Sequence, residues 1–443
     1  MKSAGIRGQA TLPRAAEVNA QGHLVIGGCD VVDLIAEYGS PLYVYDEGTI
    51  RGHAREYVAG LQSVLQESLV IYATKAFANG ALFKILAEEG LGLDVVSGGE
   101  IALAKAAGFP MDRVYFHGNN KLPEELELAA EAGVGRFVID NFLELSRLDT
   151  LGQRLGHRLQ ALVRVGPGVE AHTHEYRKTG TLDSKFGIPI STGQAETAVF
   201  QASRSKGIQL IGLHAHIGSQ IFEVAPYLET IDIVMDFAAR MTERYQLDLR
   251  EFSPGGGWGI AYTDDDDPIG AQEVSHDVGQ AIFRAAAERN LRTPKVIIEP
   301  GRSIIGQAGV AVYTVGAIKD IPSIRRYASV DGGMADNIRP ALYQSIYQPV
   351  LANRMDEVPT DIVTIAGRYC ESGDILVKDA RLPKLSPGDL VALPASGAYN
   401  LAMSSNYNMA LRPAAVLVND GNARLIRHRE SYDDLLRAEA ALD

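Results

Sequence analysis

A regular alternation runs through the middle of this chain and limits what it can fold into. Short runs rich in Val, Ile and Leu recur between longer segments with helical apolar spacing, as successive strand–helix units require. The spacing predicts strands at about Leu69–Ala73, Leu91–Val95, Arg113–Phe116, Arg136–Ile139, Gln160–Val165, Gln209–His214, Leu249–Ser253 and Lys295–Ile298. Helical stretches between them include Phe83–Glu89, Glu100–Ala107, Glu124–Ala132 and Tyr227–Tyr245. About eight such units in roughly 260 residues match the size and count of a (β/α)8 TIM barrel. An open doubly wound sheet needs fewer repeats, and no GxGxxG follows the first strand.

The two ends of the chain have a different texture. After Gly309 short alternating strands are expected at Val310–Val315, Tyr327–Asp331, Asp361–Ala366, Asp389–Leu393 and Ala414–Asn419. Ser386-Pro387-Gly388-Asp389 supplies turn chemistry between two of them. Leu24–Ile26 and Leu42–Tyr45 look the same and are expected to join that sheet before the chain enters the barrel. The expected fold class is therefore α/β: a TIM barrel over 48–309, plus a second β-rich domain, sandwich- or barrel-like, built from 1–47 and 310–443.

Charge narrows the range of partners. Against 42 Lys and Arg stand 55 Asp and Glu, a formal charge of −13, and no basic run interrupts the acidic background. Such a surface repels nucleic acid and anionic lipid, so neither is an expected partner. No apolar run approaches the ~18 residues that span a bilayer, and Met1–Ala20 lacks the apolar core of a signal peptide. Two cysteines, Cys29 and Cys370, cannot staple a chain of this size. A soluble, cytoplasmic protein is expected. The acidic run Asp264–Asp267 reads as a solvated loop rather than a metal site.

TIM barrels carry their chemistry at the C-terminal ends of the strands. There the first predicted strand ends in Thr74-Lys75-Ala76 and the sixth in His214-Ala215-His216-Ile217-Gly218-Ser219. The seventh ends in Pro254-Gly255-Gly256-Gly257-Trp258-Gly259 and the eighth in Glu299-Pro300-Gly301-Arg302. A lysine, two histidines, a glycine cluster and an acid–arginine pair would thus meet on one rim. A loop without Cβ atoms lets backbone N–H groups approach a phosphate closely. A buried glutamate is costly unless it is paired. The two histidines, at spacing two, also admit a weaker alternative, a metal-dependent hydrolase using His214, His216 and the acidic loop.

At this point the chain resembles a known family, the diaminopimelate decarboxylases of the fold-type III, alanine-racemase-like pyridoxal-phosphate enzymes. The likeness rests on Tyr72-Ala73-Thr74-Lys75-Ala76, Gly212–Gln220, Gly255–Gly257 and Glu299-Pro300-Gly301-Arg302. It continues through His172-Thr173-His174, Ser184-Lys185-Phe186-Gly187, Asp331–Tyr343, Cys370-Glu371-Ser372 and Gly397-Ala398-Tyr399, nearly the whole chain in order.

The resemblance implies pyridoxal 5′-phosphate as cofactor, held by Lys75 as a Schiff base, with Glu299 on the pyridine nitrogen and His216 stacked on the ring. Ser219, the backbone of Gly255, Gly256 and Gly257, the Gly301-Arg302 pair and Tyr399 would hold the phosphate, and Asp94 would support the lysine. It further implies decarboxylation of meso-2,6-diaminopimelate to L-lysine and CO2. Arg339, Arg302, Tyr343 and Tyr399 would receive the distal carboxylate end, Glu371 would take the distal ammonium, and Cys370 would be the proton donor. In the family Cys370 comes from the partner subunit, so a homodimer with shared active sites is expected. No metal is expected.

Overall fold

The computed structural model describes residues 8–169 and 183–440, and the motif His172-Thr173-His174 lies outside them. The described residues fall into two compact units. One takes those within Arg51–Gly259 and Pro268–Ser303; the other takes those of 8–50, Ile260–Asp267 and 304–440.

The first unit is the expected barrel. Eight parallel strands run Ser68–Ala73, Gly92–Val95, Val114–Phe116, Arg136–Ile139, Leu159–Gly166, Ile208–His214, Glu251–Ser253 and Lys295–Ile298. They pair in chain order, and the eighth hydrogen-bonds back to the first, so the ring has no free edge. Helices follow the first seven strands, from Gly80–Glu88 through Ala271–Glu288. Several begin on side-chain caps at the C-terminal rim. Asn79 accepts from Ala81 N at 2.9 Å, Ser97 from Glu100 N at 3.3 Å, and Asn141 from Glu144 N at 3.0 Å.

Inside the ring, Ile71, Tyr115, Val138, Leu162, Ile211 and Ile297, drawn from six of the eight strands, form one packed cluster. Glu251 lies at the start of the seventh strand, buried, and receives the Tyr115 hydroxyl at 2.9 Å and the Arg136 guanidinium at 2.7 Å. The sixth strand bulges between Leu210 and Gly212 to keep register with the fifth. At Gly212 the neighbouring strand comes so close that a Cβ would sit 2.0 Å from the Glu251 carbonyl oxygen.

The second unit is built on a mixed sheet. Its strands lie in the order Ile375–Leu382, Asp361–Ala366, Arg325–Val330, Gly309–Ile321, Leu42–Asp46, Ala414–Asn419 and Asn422–Arg427. The 13-residue strand Gly309–Ile321 is the organiser. Its first part pairs with Leu42–Asp46 on one side and Leu390–Leu393 on the other, and its second part pairs with Arg325–Val330. One core cluster joins Leu42, Val44, Val310, Val312, Val416 and Val418 to the N-terminal Leu24, Ile26 and Val31. The predicted turn at Ser386–Asp389 is present, with Asp389 N donating to Ser386 O at 3.1 Å and Gly388 at φ +93°.

One expectation fails. Leu42–Asp46 enters the large sheet, but Leu24–Ile26 does not. It forms a separate three-stranded sheet with Glu17–Val18 and Cys29–Asp30. Gly27 and Gly28, both at positive φ, turn the chain back after three residues, so its partners are local. The Asp264–Asp267 run belongs to a turn in which Asp266 accepts the N–H groups of Tyr262 and Thr263, both at 2.9 Å. Among the described residues no helix is long and apolar enough to cross a membrane.

The barrel's close strand contacts set a stability test. Gly212→Ala places its Cβ against backbone, so denaturant unfolding should show a loss of about 1–3 kcal/mol. Gly99→Ala, in a helix first turn where the new Cβ meets only the Ser97 hydroxyl at 3.7 Å, should leave stability unchanged or slightly raised.

Candidate active site

The barrel brings its polar residues together where its strands end. Lys75 follows the first strand within a single 3-10 turn, Thr74–Ala76, and its side chain is exposed. Thr74 Oγ1 donates to Asp94 O at 2.7 Å, tying that turn to the second strand. On its other side Ala73 N donates to Pro300 O at 3.1 Å. Gly301 permits this approach, because a Cβ there would lie 2.9 Å from that of Ala73.

Glu299 is the centre of the cluster and is only 6% exposed. Its Oε1 accepts the Ser253 hydroxyl at 2.8 Å, and its Oε2 lies 3.0 Å from His214 Nε2. An ionised carboxylate can only accept, so His214 carries its proton on Nε2. His117 Nε2 stands 3.7 Å from both Asp94 Oδ1 and Glu299 Oε1, and its ring meets that of His214 edge-on at 4.9 Å.

Burial sets the protonation pattern. Desolvation pushes both His117 and His214 below the usual imidazole range, against the pull of Glu299. Burial also works to raise Glu299, but His214 and His117 outweigh it and hold this carboxyl well below its ordinary value. Asp94 moves the other way. Burial, with Glu299 and Glu100 nearby, raises it to about 8 although Lys75 opposes the shift. Two carboxyls in one dry pocket thus share a single negative charge, carried by Glu299.

Beside this cluster lies a backbone cradle. Gly255 and Gly257 have φ of +88° and +108°. A Cβ on Gly256 would be 1.9 Å from Glu299 O, and one on Gly257 would be 2.0 Å from Gly218 O. Gly256 N donates to His216 Nδ1 at 3.3 Å and so orients that ring. His214 and His216 therefore serve different neighbours, Glu299 and the cradle, and not one shared ligand. Arg302 Nη2 donates to Ser219 Oγ at 3.1 Å. Behind the cradle the buried Trp258 lies between Tyr57 and Tyr227, with ring centroids at 5.4 and 5.5 Å.

Other residues were not singled out from the sequence. Ser253 ends the seventh strand, and His117 and Asp140 directly follow the third and fourth. Arg164, inside the fifth strand, is buried with its Nε 3.7 Å from Asp140 Oδ1 and its guanidinium 4.7 Å from the Phe186 ring centroid. Asp140 Oδ1 also accepts Gly187 N at 2.9 Å, which gives the Ser184–Gly187 motif a local role. Strand-end position, the signal that pointed to Lys75 and Glu299, was available for His117, Asp140 and Ser253 as well.

The second unit carries the other predicted residues. Arg339 opens the helix Arg339–Tyr343 and is 1% exposed. Its Nη1 donates to the Tyr347 hydroxyl at 2.6 Å, and its guanidinium stacks 4.6 Å from the Tyr262 ring centroid. Among the described residues no carboxylate pairs with Arg339, so it is not the surface salt-bridge residue that an exposed arginine usually is. Tyr343 ends the same helix, half-buried. Cys370 and Glu371 are exposed in one turn. Tyr399, half-buried, sits at φ +62°.

Comparison with known proteins fits this geometry. Residues 49–306 match the family described as pyridoxal-dependent decarboxylase, pyridoxal binding domain. The chain is 46% identical over 421 residues to the diaminopimelate decarboxylase of Bacillus subtilis strain 168, covering 95% of this chain and 96% of that one. It is 46% identical over 441 residues to the diaminopimelate decarboxylase of Synechocystis, covering 97% and 93%. The crystal structure of the M. jannaschii diaminopimelate decarboxylase with L-lysine superposes with a TM-score of 0.89 at 33% identity, covering 98% and 99%. The family's cofactor is pyridoxal 5′-phosphate, and the residues present suit it: an ionised buried carboxylate for a ring nitrogen, and a side-chain-free cradle for a phosphate.

Asp94 gives this cluster a pH signature. Its carboxyl titrates near pH 4 when unfolded and about 8 when folded, so the folded protein holds an extra proton between those values. Asp94's own contribution to the stability of the cofactor-free protein should therefore fall as pH rises through that window, by at most about 1.4 kcal/mol per pH unit, while His117 and His214, pushed down, act in the opposite sense below about pH 6.5. Asp94→Asn should remove that contribution, so that the stability difference between wild type and variant falls with pH in denaturant melts at pH 5 to 8; a constant difference would show that Asp94 is ionised.

Proposed function

Because this chain belongs to the diaminopimelate decarboxylase family of pyridoxal-dependent decarboxylases, we propose that it converts meso-2,6-diaminopimelate to L-lysine and CO2, the last step of lysine biosynthesis. Bound pyridoxal phosphate supplies a conjugated ring that takes up the electron pair left when a carboxylate departs. The chain's own residues do the rest. Lys75, on its short turn, offers the amine that holds the aldehyde carbon. Glu299, kept ionised by Ser253 and His214, holds a proton on the ring nitrogen. His216, oriented by Gly256 N–H, offers its face to the ring. The N–H groups of Gly257 and Gly301, in a cradle that the side-chain-free Gly255 and Gly256 keep open, with Ser219, Arg302 and Tyr399, would take the phosphate oxygens, while the Gly255 and Gly256 N–H groups serve Ser253 and His216. Asp94, carrying its own proton, supports Lys75 without adding charge beside Glu299.

The observation that carries the choice of substrate is Arg339. A guanidinium 1% exposed with no carboxylate partner among the described residues is costly to maintain. A substrate with a second carboxylate supplies the missing partner through a two-pronged ion pair. Arg302, Tyr343 and Tyr399 complete that end, and Glu371 takes the distal ammonium. Lysine, which lacks the second carboxylate, leaves the arginine unpaired, and sites built this way discriminate by roughly 10⁴-fold.

Cys370 donates the proton that closes the reaction. The electron pair freed from the bond to CO2 becomes a C–H bond, and the thiolate is reprotonated from water. In this reading Cys370 reaches the active site of a second copy, so the working unit is a homodimer.

CO2 release measured over a panel of amino acids should favour meso-diaminopimelate over lysine by at least a thousandfold. Arg339→Met should cut that preference while sparing visible cofactor absorbance, which Lys75→Ala should abolish. Turnover of a different diamino acid in place of diaminopimelate would overturn the substrate assignment. Sharing of sites has its own signature. Lys75→Ala and Cys370→Ala should each be nearly inactive, and mixing them after dissociation should restore about a quarter of wild-type activity through mixed dimers. No recovery on mixing would place both residues in one subunit's site.

A further inference from the structure

Four positions of the second unit, Gly333, Met334, Gly367 and Tyr369, seat one carboxylate with which no Lys or Arg pairs among the described residues. Asp374 is 3% exposed, and among the described residues no Lys or Arg pairs with it. Its Oδ1 accepts Met334 N at 2.7 Å and its Oδ2 accepts Tyr369 N at 2.8 Å. A Cβ on Gly333 would lie 2.5 Å from Oδ1, and one on Gly367 would lie 2.1 Å from Oδ2. Both neighbours are glycine because the carboxylate occupies the space of their side chains. Main-chain bonds lace the same segments: Arg368 N to Gly332 O at 3.1 Å, Gly367 N to Asp374 O at 2.9 Å, and Asp374 N to Glu371 O at 3.1 Å.

The turn so fixed is the one that carries Cys370 and Glu371. Its opposite side is held as well. Cys370 N donates to Asn408 Oδ1 at 3.0 Å, and the Tyr407 hydroxyl donates to Cys370 O at 3.3 Å. The Cys370 peptide is therefore gripped from two directions while its thiol stays exposed. The loop that Met334 anchors runs within five residues into Arg339.

We propose that Asp374 and Asn408 are positioning residues that fix the Cys370 peptide and so determine where its thiol delivers a proton. The inference rests on the reading of Cys370 as proton donor. Neither residue is assigned a contact with substrate; both act through the turn. Proton transfer depends on placement to within about an ångström, and a displacement of that size costs on the order of a hundredfold in rate.

Asn408→Gly is the sharper variant. Asn408 is exposed and sits at φ +52°, which glycine adopts without strain, so the fold is retained. In steady-state assays with meso-diaminopimelate, kcat should fall roughly tenfold or more, with KM changed by less than about twofold. Asp374→Asn puts an amide NH2 where an N–H must be accepted; it should lower kcat and also raise KM, because the Met334 loop leads to Arg339. Added to Cys370→Ala, neither change should lower kcat further. Wild-type kcat in Asn408→Gly, or equal slowing with and without Cys370, would overturn the inference, and Asn408→Gly decides it even if Asp374→Asn does not fold. Full turnover by Cys370→Ala would instead remove the proton-donor reading itself.

Discussion

Glu299 carries a charge in a place where charge is expensive, and much of the barrel's rim exists to make that possible. A carboxylate 6% exposed loses most of its hydration and survives ionised only if donors replace the water. Ser253 and His214 supply two. Their supply dictates the neighbours' states in turn. His214 is held below the usual imidazole range with its proton on Nε2, and burial with Glu299 and Glu100 nearby pushes Asp94 up against the pull of Lys75. The glycine cradle follows from the same crowding, since Gly256 packs directly on the Glu299 carbonyl. One ionised group, placed by the eighth strand, thereby constrains the ends of the second, third, sixth and seventh.

The two units carry different chemistry. The barrel's groups suit an aromatic, phosphorylated cofactor: a lysine, an ionised acid, an oriented imidazole and a side-chain-free backbone cradle. The other unit carries the groups to which the proposed reading gives the substrate's far end and the closing proton: a buried arginine, an exposed glutamate and an exposed thiol.

Legibility in the sequence follows burial. A strand covered on both faces is a continuous apolar run, and all eight barrel strands lie within a residue or two of their expected bounds. Edge strands are harder to read. Ile375–Leu382 carries Lys378, Asp379 and Arg381 on its open side, and Asn422–Arg427 closes a hairpin through Asp420-Gly421; neither announces itself by hydrophobicity. Leu24–Ile26 shows a second limit, because composition identifies a strand but not its partner. At the site, Lys75 and Glu299 stand beside motifs that fix attention on them. His117, Asp140 and Arg164 sit among ordinary residues, and only the closed ring shows that His117 faces Glu299 and that Asp140 and Arg164 face each other. Arg339 stands out in the sequence beside its motif, but its burial against Tyr262 and Tyr347 depends on side chains up to 77 positions away.

The threading of the second unit has a consequence for how the chain is made. Leu42–Asp46 is buried along its whole length, yet its partners are Gly309–Val312 and Ala414–Val418. On the ribosome it emerges long before either. The barrel, complete once Ser303 has appeared, can close while this apolar strand still has two open hydrogen-bonding edges. Synthesis therefore imposes an order that the finished architecture conceals: the inserted unit matures first and its host last. During that interval the strand Leu-Tyr-Val-Tyr-Asp is the segment most in need of shelter from other nascent chains.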